Sequence, residues 1–169
     1  MPTSYIIPTV KFDSLKVTEA VRADIRKNVE LIEGIDPKHF DQVYEAALSS
    51  VTAGRNLFLL ANALMQMNID GMTKGRAGQI ARFLNNIATA TINRIDQHSL
   101  GITEAIWMYT GAPCGANPKK PGRQNTAHKA ANGKRYKIAE GMLLNGKWTW
   151  PGYEDGCRCF SKSVIEGIN

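Results

Sequence analysis

The sequence predicts an α+β chain: an N-terminal helical bundle of about four helices, followed by a small, irregular β-rich module. Three observations carry that reading. Apolar residues recur at spacings of three and four between Thr18 and Gly101. Beyond Gly101 the runs become short, β-prone and separated by glycine and proline. All three cysteines and the whole net positive charge fall in residues 111–169. The boundaries that follow are an extended N-terminal arm over 1–15, a helical domain over 16–101 and a basic β-rich module over 102–169.

The arm has two prolines and Ile6, Ile7, Val10 and Phe12, with no helical period. The first helix is expected after Thr18 as N-cap, with Val21, Ile25, Val29 and Ile32 on one face and a stop at Gly34. Asp36-Pro37 opens a second, since proline at the first helical turn forfeits no hydrogen bond. It carries Phe40, Val43, Tyr44, Ala47 and Val51 and ends at Gly54. The third, about Leu57 to Met67, is apolar nearly all round and is expected to be the most buried, with Met65 and Met67 as core filling. Thr73 caps the longest, which runs through Ile80, Leu84, Ile87 and Ile95 to a stop at Gly101.

Four strands are expected in the second part, at 102–109, 135–138, 147–150 and 158–164. Asn145-Gly146 supplies the chemistry of a tight hairpin turn. Trp107, Tyr109, Tyr136, Trp148, Trp150, Tyr153 and Phe160 are the expected core. Loops outweigh strands here, so something besides apolar burial is expected to hold the module together.

The chain is long enough at 169 residues to bury a sizeable core without disulfides. Residues 1–110 hold 11 Lys/Arg against 11 Asp/Glu, and residues 111–169 hold 10 against 4, which places the +6 entirely in the second part. Local basicity suits polyanions, through attraction and counterion release, and suits a solvated face equally. Lys119, Lys120, Arg123, Lys129, Lys134, Arg135 and Lys137 are the candidate polyanion- or partner-binding residues. No signal peptide is expected. The longest apolar stretch, Leu57 to Met67, is far short of the roughly 20 residues that span a bilayer. Phosphate-loop and dinucleotide-loop patterns are absent.

Cys114, His128, Cys157 and Cys159 form a set of four soft or borderline donors in a segment too small to stand alone, which suits one structural zinc. The spacing is unusual for zinc, with a C-x-C pair in place of C-x2-4-C. A disulfide from Cys114 to one of the later pair and three buried free thiols therefore remain open. Catalytic zinc is less supported, because the local acids are limited to Glu140, Glu154 and Asp155. His128 is read as lying in a loop.

Taken in order, Gly101-Ile-Thr-Glu-Ala-Ile-Trp107, Pro121-Gly-Arg-Gln-Asn-Thr-Ala-His128, Asn132-Gly-Lys-Arg-Tyr136, Gly141-Met142, Gly146-Lys-Trp148, Pro151-Gly152 and Cys157-Arg-Cys159 resemble the Mu F-like phage head morphogenesis, or minor capsid, family. The resemblance extends over about residues 18 to 165. Cys114 and the 116–120 stretch look like an insertion relative to the family pattern. Its signature positions here are Trp107, Arg123, His128, Gly133, Pro151, Gly152, Cys157, Arg158 and Cys159.

The resemblance implies a minor structural head protein of a tailed phage or prophage, located in the virion after synthesis in the host cytoplasm. Such a protein is associated with the portal and the head interior and acts in head morphogenesis, DNA packaging or delivery. Portal and capsid proteins, and packaged DNA, are the implied partners. Neither catalysis, a small-molecule substrate nor a membrane is implied. The alternative from another class is a zinc-dependent enzyme or toxin acting on nucleic acid, with His128 as base.

Overall fold

The computed structural model describes residues 11–117 and 119–168. The chain is α+β, with four helices preceding a set of small antiparallel sheets and a fifth helix set among the strands. Most of the expected arm lies outside the described residues. Its described end forms a 3-10 turn at Ser14–Lys16, and Phe12 packs against the helical core.

Helix α1 (Glu19–Glu30) buries Val21, Ile25 and Val29, as its spacing requires. Thr18 takes the N-cap position without a side-chain hydrogen bond. The Asp36 side chain accepts from the Lys38 N–H at 3.0 Å, although it caps a 3-10 turn at Pro37–His39 that leads into α2 (Phe40–Thr52). Helix α3 (Leu57–Gln66) is capped by Asn56, whose Oδ1 accepts from Leu59 N at 3.1 Å. Helix α4 (Lys74–Ser99) is capped by Thr73, which accepts from Arg76 N. Gly34, Gly54 and Gly101 follow helix ends with φ near +80°, a conformation that costs glycine little.

The expectation for α3 is corrected. It packs on α2 and α4 through Leu60 and Leu64, while Phe58, Leu59 and Met65 are exposed, Phe58 by 74%. Neighbours cover one side only, so an all-round apolar helix here is a surface element. Met67 is partly buried against the core and Met65 is not.

Strand β1 (Glu104–Met108) is central in a three-stranded antiparallel sheet of order β2-β1-β5, between β2 (Arg135–Lys137) and β5 (Phe160–Ser163). Ala105 faces Tyr136 on one side and Ser163 on the other. A separate hairpin joins β3 (Met142–Leu144) to β4 (Lys147–Thr149), through Asn145 and Gly146 at φ 50° and 79°. The expected turn is therefore present, but the strand it closes on is 142–144, a segment left outside the four expected strands. Helix α5 (Arg123–Ala131) also replaces the loop expected around His128.

The second core gathers Ala105, Trp107, Ala131, Tyr136, Ile138 and the three cysteines. Trp148 and Phe160, expected inside, are more than half exposed. They point outward from a two-stranded hairpin and an edge strand, which have only one covered face.

The two cores meet along α4. The Arg94 guanidinium stacks over Trp150 at 4.1 Å and pairs with Asp24 of α1 at 3.1 Å. Asp24 also accepts from Thr91 Oγ1 at 2.8 Å and from the Tyr153 hydroxyl at 3.2 Å. Further along α4, Gln97 donates to Ser161 and Ser163 of β5. A guanidinium that is both stacked and paired is a stronger tie than an exposed ion pair. Among the described residues no helix is long and apolar enough to cross a membrane.

Candidate metal centre

Three separate segments deliver four donors to one buried point. Cys114 lies in the loop after β1, His128 on α5, and Cys157 and Cys159 in the loop entering β5. Their ligating atoms all lie within 4.8 Å of one another, and every one of these residues is buried. The Cys114 and Cys159 sulfurs are 3.6 Å apart, and His128 Nδ1 is 3.4 Å from Cys157 Sγ and 3.8 Å from Cys159 Sγ. A tetrahedron built on Zn–S of about 2.3 Å and Zn–N of about 2.0 Å has edges of about 3.5–3.8 Å. The three thiols are not joined in any disulfide. The set can hold a metal ion.

Helix α5 organises this convergence. Asn125 Oδ1 accepts from the Cys114 N–H at 2.9 Å and from the Tyr109 hydroxyl at 2.9 Å, which pins the first loop. Gln124 donates to the Asp155 carbonyl at 2.9 Å and pins the second. Three to four residues on, His128 points into the gap between the loops, with Ala131 as the other buried residue of the helix. The buried face of α5 thus consists of polar side chains with assigned partners. No apolar stripe marks it in the sequence, which is why the segment reads as a loop; the alanines at 127, 130 and 131 were the available helical signal.

The loops themselves touch through glycine. Gly115 N donates to the Gly156 carbonyl at 3.1 Å. A Cβ on Gly156, which sits at φ +68°, would collide with the Gly115 carbonyl. Only glycine allows the two backbones to approach so closely.

Around the donors lies an outer ring of hydrogen bonds. The His128 Nε2 atom is 2.7 Å from Glu154 Oε2; with the carboxylate ionised, Nε2 carries the proton and Nδ1 turns its lone pair to the sulfurs. Backbone N–H groups of Gly152 and Arg158 donate to Cys157 Sγ at 3.2 Å and Cys114 Sγ at 3.4 Å. The buried Trp107 indole N–H has no hydrogen-bond partner among the described residues. Trp107 also packs edge-on against the imidazole, with centroids 5.0 Å apart. These groups fit sulfur that carries negative charge.

The protonation states are strongly coupled. Hydrogen bonds from Cys157 and Cys159 hold the Cys114 thiol far below its ordinary range. Hydrogen bonds to Cys114 and Cys157, with burial, push Cys159 far up. For His128, burial alone would lower the pKa, but bonds to Cys114, Cys157 and Glu154 outweigh it and raise it to about 11. Without metal these directions favour an imidazolium at His128, a thiolate at Cys114 and a protonated Cys159.

The other signature positions surround this site. Gly133, at φ +77°, donates to the Trp107 carbonyl at 2.8 Å, and Pro151 is buried beside Gly152. Arg123 and the Arg158 residue between the cysteines are exposed. Lys119, Lys120, Lys129, Lys134, Arg135 and Lys137 are also exposed, and two of these are partly neutralised, Arg135 by Glu104 and Lys137 by Glu140. Glu154, Asn125 and Gly156 are the residues that the sequence reading did not assign to the site.

No protein-family model, no curated protein and no solved structure matches the chain.

Proposed function

We propose that the chain is a minor head protein of a tailed phage or prophage, whose C-terminal module is closed by one structural zinc on Cys114, His128, Cys157 and Cys159. The observation that carries the zinc is the donor set: three sulfurs and one imidazole, all buried, with their ligating atoms within 4.8 Å of one another and three of the separations at 3.4–3.8 Å. Four protein donors leave no position for water, and Glu154, the nearest acid, is engaged in orienting His128. Both features favour a structural over a catalytic ion. The metal would supply binding energy to a module whose sheets have only three and two strands.

The phage reading rests on the ordered motifs from Trp107 to Cys159, several of which have a physical role around the cluster: Trp107 packs on His128, Gly133 bonds to Trp107, and Gly152 bonds to Cys157. Portal and capsid proteins, with packaged DNA, are the proposed partners, and the virion the proposed location.

Elemental analysis of protein purified without chelator, with thiols counted after unfolding, tests the zinc. One zinc with three thiols per chain is expected; no metal, or fewer thiols without reductant, would refute it. Mass spectrometry of purified particles from a producing strain tests the assignment to the head, where the protein is expected at low copy and its absence would count against the reading.

A further inference from the structure

We infer that the groove between α4 and the cysteine-bearing loop is a docking site for an extended acidic segment of a partner protein. This goes beyond the zinc reading and concerns the outer side of the cysteine loop, where Cys157 and Cys159 also line the groove.

Two clefts, of about 320 Å³ and 280 Å³, lie end to end along α4 and share Asn86, Cys157 and Arg158 as lining. Arg55 and Arg94 line the larger and Arg82 the smaller. Arg94 is neutralised by Asp24. Arg55, Arg82 and Arg158 form no ion pair among the described residues. The lining contains one acid, Asp155, at the far end of the smaller cleft, where burial raises its pKa. Three guanidinium groups without an ion pair, brought together from α4, the loop after α2 and the cysteine loop, favour an anionic occupant, although Arg55 donates to Asn86 and Arg82 lies in the field of Asp155.

The rest of the lining selects the kind of anion. On α4, Gln79, Asn86, Asn93 and Gln97 fall on the groove side at helical spacing, a row about 27 Å long at 1.5 Å per residue. About eight residues of extended peptide cover that length. Three of these amides are already partly engaged, Asn86 by Arg55, Gln79 by Arg76 and Asp155, and Gln97 by Ser161 and Ser163; the amide groups that remain suit peptide backbone, and the guanidinium groups suit carboxylates. A nucleic-acid strand would instead need open aromatic faces for its bases. The indole of Trp150 in this groove is already covered by Arg94 at 4.1 Å.

The test is fluorescence anisotropy with a labelled peptide of about eight residues alternating Glu with Val and Thr. The same peptide with Gln for Glu, and an oligothymidylate of equal length, serve as competitors. The expected result is binding that weakens with salt and is displaced by neither competitor. Arg55→Gln with Arg82→Gln, neither of them hydrogen-bonded to a metal donor, should weaken it about tenfold. Adding Arg158→Gln should weaken it further, whereas Lys119→Gln with Lys120→Gln should not. Stronger competition by the oligonucleotide would overturn the inference, as would wild-type affinity in the double arginine variant. Metal content measured on the same samples separates the two readings: a variant that keeps its metal and loses the peptide reports on the groove alone.

Discussion

Nε2 of His128 and Oε2 of Glu154 are 2.7 Å apart, and this one contact decides which imidazole nitrogen faces the three sulfurs. Glu154→Gln keeps the shape but lets the amide present either an oxygen or an NH2 to the ring. Metal affinity is expected to fall about 10- to 100-fold with helical content unchanged. Competition against a chromophoric chelator measures it, and an unchanged affinity would assign the ring's orientation to Trp107 packing instead.

Gly156→Ala drives a methyl group into the Gly115 carbonyl from a positive-φ position. The two cysteine loops can then no longer meet, and a loss of about 2–4 kcal/mol together with the metal is expected. Gly167 has a similar φ of +84° with nothing within 4 Å of a Cβ, so Gly167→Ala isolates the backbone term. That term is about 1 kcal/mol. Equal losses in the two variants, read from denaturant melts, would contradict the steric account.

Metal uptake should release protons. In the metal-free cluster Cys159 holds its proton and His128 is an imidazolium, its pKa raised to about 11. A coordinated thiolate and neutral imidazole require both protons to leave, so about two or more protons per metal are expected near pH 7. Affinity therefore rises as pH rises through the neutral range. Titration calorimetry in buffers of different ionisation enthalpy counts the protons, and release of fewer than about one would exclude coordination by all four groups.

Deep in the helical core, Ser50 Oγ donates to the Asn56 carbonyl at 2.7 Å and accepts from Asn85 Nδ2 at 2.9 Å. Ser50→Ala leaves part of a buried amide and a carbonyl without that partner. A loss of about 1–3 kcal/mol is expected. Ser49 on the adjacent exposed position serves as control, and a Ser50→Ala melt superposable on wild type would show that the network contributes nothing.

Arg94 ties the helices to the β-rich module through stacking as well as charge. Arg94→Lys retains the charge toward Asp24 and loses the planar face over Trp150, and a cost of about 1–2 kcal/mol is expected. Splitting of one unfolding transition into two would be its clearest sign. No loss in the lysine variant would mean that the ion pair alone carries the contact.

Helices α1, α2 and α4 were legible because each carries a buried face at helical period and a glycine past its end, at Gly34, Gly54 and Gly101, and α3 was legible by its apolar run. The four donors were legible by scarcity, with every cysteine of the chain confined to one segment. Helix α5 was not, since it buries His128 and the partners of two loops in place of an apolar stripe. Exposure misled in both directions: α3 is uniformly apolar yet has only one covered side, and Trp148 is aromatic yet stands on a hairpin open to solvent. Gly156 and Glu154 matter through contacts with residues 41 and 26 positions away, Gly115 and His128, which no local pattern encodes.

Cys114 and Cys159 stand 45 residues apart in the chain yet end within 3.6 Å of each other. Closing so long a loop costs entropy that only the finished cluster repays, whereas α2, α3 and α4 pack on their neighbours in the chain and α1 then closes onto α4. We therefore expect the two halves to mature in order. The helical scaffold would form first and offer the α4 surface as a template, and the β-rich half would lock last and at a rate set by metal concentration. Stopped-flow refolding checks this: helical signal should recover at the same rate with and without zinc, and tryptophan fluorescence should not.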